Sequence, residues 1–124
     1  MLEVRASTNL GLIGAYCKKA DVLPGEQFYL YLAKDGENQI AAGLFEVLSE
    51  RVRVVFFEAE ERDPWLLDAI LRAGLNYAAS HGVNTGEIPE DFRQTHRELF
   101  AKLNYPAPVE FDITNFFSKY KNCG

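Results

Sequence analysis

The sequence predicts an α/β fold of the α+β kind, in which a mostly antiparallel sheet packs against helices. Apolar residues alternate from Phe28 up to an Asp35-Gly36 pair, a pattern typical of a β-hairpin. The run from Arg51 to Glu58 is rich in β-branched and aromatic residues, as central strands are. After Pro64 the apolar residues take helical spacing, which predicts a long helix beside these strands.

The segment before the hairpin is predicted to hold one strand and one helix. Apolar and polar side chains alternate from Leu2 to Arg5, as in a half-buried strand. Thr8 or Asn9 is suited to cap a helix, because a short polar side chain accepts a hydrogen bond from the first helical turn. The pair Pro24-Gly25 then interrupts regular structure before the hairpin begins.

The hairpin and the strand 51–58 are predicted to run as three consecutive antiparallel strands. Asp63 is then suited to cap the long helix, with Pro64 in the first helical position, where a missing amide hydrogen costs nothing. Gly82 is expected to end that helix, since glycine adopts the left-handed conformation that follows many helices.

The remaining chain is predicted to alternate between short strands and helices. A strand is expected near 83–88, and a helix is expected from Pro89 to Asn104 with an inward stripe. That stripe consists of Phe92, His96, Leu99 and Leu103. An edge strand near 109–111 and a last helix capped by Asp112 follow. The aromatic residues of this helix belong either to the core or to a patch for homodimer formation, and both alternatives stay open. They are Phe116, Phe117 and Tyr120.

Composition and charge exclude several classes of function. The 124 residues, 48% of them hydrophobic, are enough for one folded domain spanning residues 1–124. A net charge of -5 repels phosphate backbones and anionic lipids, so neither nucleic acid nor a membrane is expected as a partner. The chain has no apolar run of about 20 residues and no signal-peptide pattern, so we expect a cytoplasmic protein.

Cysteine and histidine positions predict neither a disulfide nor a metal site. Cys17 and Cys123 are the two cysteines, and both are expected to be free thiols in a reducing compartment. His81 and His96 lie on different predicted elements, with no cysteine or carboxylate at zinc-ligand spacing. His81 is expected to favour a helix C-terminus, and His96 to be a hydrogen-bonded core residue.

Short motifs in a fixed order carry a resemblance to a known family. Gly43 follows the hairpin turn, and the long helix reads Leu-Leu-Asp-Ala-Ile-Leu at 66–71. The next helix ends as Leu-Phe-Ala-Lys-Leu-Asn-Tyr at 99–105. Together, over residues 28–105, these motifs resemble the GNAT superfamily of acetyltransferases. The resemblance implies a mixed, mostly antiparallel sheet with helices packed on both faces.

The resemblance also implies a reaction, the transfer of an acyl group from acetyl-CoA to a small-molecule or peptide amine. Glu58, at the end of the central strand, would be the base that takes the proton of the amine, with Glu46 as a weaker candidate. Tyr105 would be the acid that protonates the leaving thiolate. The residues implied to hold the coenzyme are Phe56, Phe57, Arg62, Asp63, Trp65 and Leu66.

One departure from the family pattern affects the phosphate-binding loop. The family's Arg/Gln-x-x-Gly-x-Gly/Ala loop would precede the long helix, but residues 58–65 read Glu-Ala-Glu-Glu-Arg-Asp-Pro-Trp. A pyrophosphate is bound by bare amides at a helix N-terminus, and Pro64 removes one of them. Glu60, Glu61 and Asp63 add negative charge beside the same place, and Arg62 is the only local cation.

A second departure is Phe100, which stands where many family members have the tyrosine acid, so that role falls to Tyr105 or Tyr77. Three functions therefore stay open: an N-acetyltransferase, a catalytically inactive GNAT-fold binding or dimerisation module, and an unrelated α/β interaction domain. In the first, two adjacent strands should separate after about Val55 to leave a slot. In the second, the sheet should be closed there, with Trp65 or Arg62 filling the slot.

Overall fold

Six strands form one sheet, which helices cover on both faces. The computed structural model describes residues 2–106 and 108–120, apart from the side chains of Lys119 and Tyr120. The strands are β1 (Leu2–Ser7), β2 (Phe28–Asp35), β3 (Asn38–Val47), β4 (Arg51–Ala59), β5 (Thr85–Glu87) and β6 (Glu110–Asp112). They lie in the order β1-β2-β3-β4-β5-β6. All neighbours are antiparallel except β4 and β5, which are parallel. The predicted mixed, mostly antiparallel sheet is confirmed.

Five helices connect or follow these strands. They are α1 (Leu10–Lys19), α2 (Pro64–Ser80), α3 (Glu90–Thr95), α4 (Arg97–Leu103) and α5 (Ile113–Tyr120). No helix in the described ranges is long and apolar enough to cross a membrane.

The helix caps follow from local sequence. Asn9 accepts a hydrogen bond from the Leu12 amide at 3.0 Å and thereby caps α1. Asp63 caps α2, where Pro64 takes the first position as predicted. Gly82 follows the end of α2 with a φ of +90°, a left-handed conformation that strains any residue with a Cβ.

The single helix predicted from Pro89 to Asn104 is wrong, because the chain forms two helices there. His96 leaves helical geometry, with φ -113° and ψ 29°, and separates α3 from α4. The reason is tertiary packing, since α3 contacts β4 whereas α4 contacts α2. Two partners in different places require two helix axes. The predicted left-handed cap at Asn104, with φ 54°, is confirmed.

The hydrophobic core lies on both faces of the sheet. On the α1 face, Cys17 packs with a cluster that includes Leu30 and Leu44. On the other face, α2 packs over β3 and β4, α3 contacts β4, and α4 and α5 pack against α2. Phe116 and Phe117 are buried in this second cluster, so the structure assigns them to the core. Tyr120 as a side chain and Cys123 lie outside the described residues.

Two glycines allow α2 to approach the sheet closely. A Cβ on Gly74 of α2 would lie 2.1 Å from Cζ of Phe45, and one on Gly43 of β3 would lie 2.3 Å from Cγ2 of Ile70. Neither distance is tolerable without movement of the packed side chain. The pair fixes α2 against β3 and so fixes where the loop from β4 enters the helix.

Candidate functional site

The parallel strands β4 and β5 separate early and leave a slot between them. Only Arg51, Val52 and Arg53 pair with β5, whereas β4 pairs with β3 along nearly its whole length. Beyond Arg53, no described strand pairs with β4 on the β5 side. Alternate N–H and C=O groups of a strand point to each side, so this edge of β4 offers unpaired backbone groups to the slot.

A β-bulge lies in the wall of the slot. The register with β3 passes from Leu44 opposite Phe56 to Phe45 opposite Val54, so Val55 is an extra residue. A bulge bends its strand and increases the local twist. It occurs where β4 leaves β5, which is consistent with the bulge directing the strand away from its neighbour.

The slot encloses about 350 Å³ between β4 and the first of the two short helices. One wall is residues 53–57 of β4. The other wall consists of Pro89, Asp91, Phe92, Thr95 and His96. Trp65 does not fill the space, since it is 66% exposed, and Arg62 is exposed and extends to Glu98 at 3.5 Å. The predicted slot is therefore present and open.

His96 is part of the slot wall. Its ring lies 5.5 Å from that of Phe57 and 4.8 Å from that of Phe92, measured between centroids. Burial, and then the positive charge of Arg62, lowers the pKa of His96, so the imidazole is neutral near pH 7. Sequence reasoning expected a core histidine and missed this place, because the break between α3 and α4 turns the residue towards β4.

Glu58, the predicted base, directly follows the slot-lining residues of β4 and faces α1. The hydroxyl of Tyr16 donates to its Oε2 at 2.8 Å, and Nζ of Lys19 donates to its Oε1 at 3.0 Å. Gln39 donates in turn to the Tyr16 hydroxyl at 2.7 Å. Burial, followed by the hydrogen bond to Glu58, raises the pKa of Tyr16 to about 12. Tyr16 therefore stays protonated and holds the carboxylate in one orientation.

Glu46, the weaker candidate for the base, is buried in the sheet. It is 8% exposed, and its Oε1 accepts hydrogen bonds from Nε of Arg53 at 3.0 Å and from Nη2 at 2.8 Å. A buried carboxylate requires such a partner, and β4 supplies it directly across from Glu46.

The predicted acid Tyr105 is directed towards α2. Its hydroxyl donates to Asp68, whose other oxygen accepts a hydrogen bond from Nε of Arg72 at 2.9 Å. Its ring packs edge-on against Phe100 and Phe116. Tyr77, the alternative, packs with Tyr29 and Tyr31. Neither tyrosine is among the residues that line the slot.

The backbone donors at the start of α2 are occupied. The Asp63 amide donates to the Glu61 carbonyl at 2.8 Å, and Pro64 has no amide hydrogen. The Trp65 amide donates to the side chain of Asp63 at 2.9 Å, and the Leu66 amide donates to the backbone oxygen of Asp63 at 3.1 Å. These are the four groups that a helix ordinarily offers to an anion, and here none remains open.

The loop before α2 supplies few other backbone donors for an anion. The Glu60 amide donates to the Ile40 carbonyl at 2.9 Å. The amides of Glu61 and Arg62 form no hydrogen bond with described residues, but the segment 60–63 to which they belong carries three acidic side chains. Of the predicted coenzyme ligands, Phe56 and Phe57 line the slot. Asp63 is a cap, Trp65 is exposed and Leu66 is buried.

The described residues contain no group of three or more histidine, cysteine, aspartate or glutamate side chains placed to hold a metal ion. The candidate site consists of an open strand edge, aromatic walls and a fixed carboxylate.

Solved acetyltransferases share this fold. The ribosomal-protein-S18-alanine N-acetyltransferase of Escherichia coli has a TM-score of 0.63 at 13% identity, covering 87% of this chain and 79% of its own. A Desulfovibrio desulfuricans protein assigned to the GNAT family gives 0.62 at 8% identity, covering 91% and 99%. A Bacillus subtilis acetyltransferase in complex with CoA gives 0.58 at 15% identity, covering 84% and 76%.

These similarities establish that the chain has the GNAT fold. No protein-family model matches the sequence. No curated protein matches it either.

Proposed function

We propose that this protein is an N-acyltransferase that binds acetyl-CoA or a related thioester in the β4–β5 slot and passes the acyl group to an amine. The observation that carries the proposal is the open slot, in which the unpaired edge of β4 faces a cavity of about 350 Å³. Solved proteins with this fold include an N-acetyltransferase and an acetyltransferase in complex with CoA.

The reaction proceeds by direct attack of the amine on the thioester carbonyl. Backbone N–H groups of β4 near Val55 polarise that carbonyl, as oxyanion donors do in acyl transfer. The amine approaches from the α1 side, and Glu58 accepts its proton while Tyr16 and Lys19 hold the carboxylate. A C–N bond forms, the C–S bond breaks and the electron pair leaves on sulfur.

The leaving thiolate requires no dedicated acid in this scheme. An ordinary thiol has a pKa near 8.5, so the thiolate is an adequate leaving group, and it takes a proton from solvent after it has left. This makes the reaction compatible with Phe100 at the usual place of the tyrosine and with a Tyr105 hydroxyl that donates to Asp68.

A second function, a GNAT-fold binding module without catalysis, is favoured by one observation. The amides that begin α2, where a pyrophosphate would lie, are occupied by Glu61 and Asp63 or removed by Pro64. If tight binding of acetyl-CoA depends on that contact, the chain does not bind it and the slot serves another ligand.

Thermal unfolding with acetyl-CoA, together with a thiol-release assay, tests the proposal. A ligand at 100 times its Kd adds about 2.7 kcal/mol of stability, enough to raise Tm by at least about 5 °C. We expect such a rise at millimolar acetyl-CoA, and thiol release with a panel of an alanyl peptide, a polyamine and ethylamine. A rise without thiol release supports the binding module, and the absence of both contradicts the proposed function.

A further inference from the structure

We propose that the donor is recognised through its acyl-pantetheine arm, and that the nucleotide diphosphate of coenzyme A adds little to binding. This inference rests on the proposed function, because it concerns the donor of the same slot. It assigns to the protein a wider substrate class, namely acyl thioesters of pantetheine with or without the nucleotide.

The amides at the start of α2 are not available as hydrogen-bond donors to a diphosphate. Three amides at the start of α2 are bonded within the chain, and Pro64 supplies none. Two charge-assisted hydrogen bonds from such amides would strengthen binding on the order of 100-fold. Because these amides are already bonded, the chain gains this affinity only if their hydrogen bonds to Asp63 and Glu61 break first.

The charges at the same entrance oppose a diphosphate. Glu60, Glu61 and Asp63 lie in the loop and at the helix start, and with Asp35 they line a cavity beside it. Arg62 is the cation of this loop, and it extends to Glu98 on α4. A phosphate that approached the Glu61 and Arg62 amides of this loop would meet these carboxylates, whose repulsion weakens its binding most at low ionic strength.

The slot itself fits the neutral arm. Pantetheine is an extended chain with two amide groups, which can pair with the open edge of β4 as an added strand does. The cavity of about 350 Å³ is at the small end of ligand pockets. Its walls include Phe56, Phe57 and Phe92, which suit the methylene groups of the arm.

Binding of three acetyl thioesters to the intact chain tests this inference. The probes are acetyl-CoA, S-acetyl-4′-phosphopantetheine and S-acetylpantetheine, titrated by calorimetry at low and moderate salt. We expect the three Kd values to agree within about threefold at moderate salt. We also expect acetyl-CoA, but not S-acetylpantetheine, to bind more tightly when salt is added.

A charge variant gives an independent readout. Glu60→Gln with Glu61→Gln should lower the Kd of acetyl-CoA and leave the Kd of S-acetylpantetheine unchanged. Glu26→Gln with Glu50→Gln removes the same charge from exposed residues just before β2 and β4, and it should change the binding of neither thioester.

The outcomes separate the two proposals. If acetyl-CoA binds more than about tenfold better than S-acetylpantetheine, the inference is overturned and the proposed function stands. If none of the three thioesters binds, the proposed function itself fails.

Discussion

At the scale of single residues, Glu58 is the group whose surroundings suggest a chemical task. Lys19 and Glu58 are 51% and 40% exposed, so their ion pair contributes only about 0–1 kcal/mol to folding. Tyr16 adds a second donor to the same carboxylate. Two donors thus fix one carboxylate beside an open slot, and the weak ion pair is better explained by orientation of Glu58 than by stability.

Replacement of the base should slow acyl transfer. For Glu58→Gln we expect kcat with ethylamine to fall by about 100-fold, because the amide cannot accept the proton. A continuous thiol-release assay measures this rate.

The control for that variant is Glu50→Gln, an exposed glutamate in the turn before β4. It should leave kcat unchanged. Equal rates for the Glu58 and Glu50 variants would show that Glu58 is not the base.

The sequence predicts a site residue when the residues next to it in the chain form a recognisable local pattern. Glu58 stands out because it ends a strong strand, and Asp63 because it precedes a proline and a helical pattern. The partners Tyr16 and Lys19 are 42 and 39 residues from Glu58 in the chain, so no local pattern indicates them. His96 was missed as a slot residue for a similar reason, since only contacts of α3 with β4 decide where it points.

At the scale of elements, the packing of α2 on β3 fixes the position of the helix that follows β4 and its acidic loop. Tyr29 donates a hydrogen bond to the Gly74 carbonyl, and its ring stacks on Phe45 at 5.3 Å between centroids. Phe45 in turn fills the space beside Gly74. The helix that begins after the acidic loop is thereby held at its middle.

Gly74→Ala should test this contact. The new methyl group would lie 2.1 Å from Phe45, so we expect a loss of about 1–3 kcal/mol in the free energy of unfolding, despite the higher helix propensity of alanine. Urea denaturation measures the change.

Gly14→Ala in α1 is the matched control. Nothing lies within 4 Å of its new Cβ, so it should gain up to about 1 kcal/mol from helix propensity. If both variants were stabilised equally, the close approach of α2 to β3 would be wrong.

Element boundaries were predictable where the chain carries its own signal. Asn9, Asp63, Gly82 and Asn104 cap or end helices through their own side chains or backbone freedom. The division of α3 from α4 has no such signal, because the stripe of apolar residues continues through it. Packing against two different elements decides it.

At the scale of the whole molecule, the sheet opens at one place and closes elsewhere. Pairing between β2, β3 and β4 extends over nearly their full lengths. In contrast, β5 is three residues long, and its pairing with β4 ends at Arg53. The order of strands and helices was predictable from motifs spread along the chain. The size of the slot was not, because it depends on where α3 begins after this short strand.

Occupation of the slot can be blocked without disturbing the core. Thr95 lines the slot and is exposed, whereas the neighbouring Gln94 is exposed and outside it. A tryptophan at 95 would therefore occupy the space of the acyl arm, and a tryptophan at 94 would lie in solvent on the same helix.

Calorimetric titration of acetyl-CoA into Thr95→Trp and Gln94→Trp tests most directly whether the slot is the donor site. We predict that Gln94→Trp binds as the parent chain does, and that Thr95→Trp binds at least about 100-fold more weakly. Equal binding by the two variants would contradict a donor site between β4 and β5.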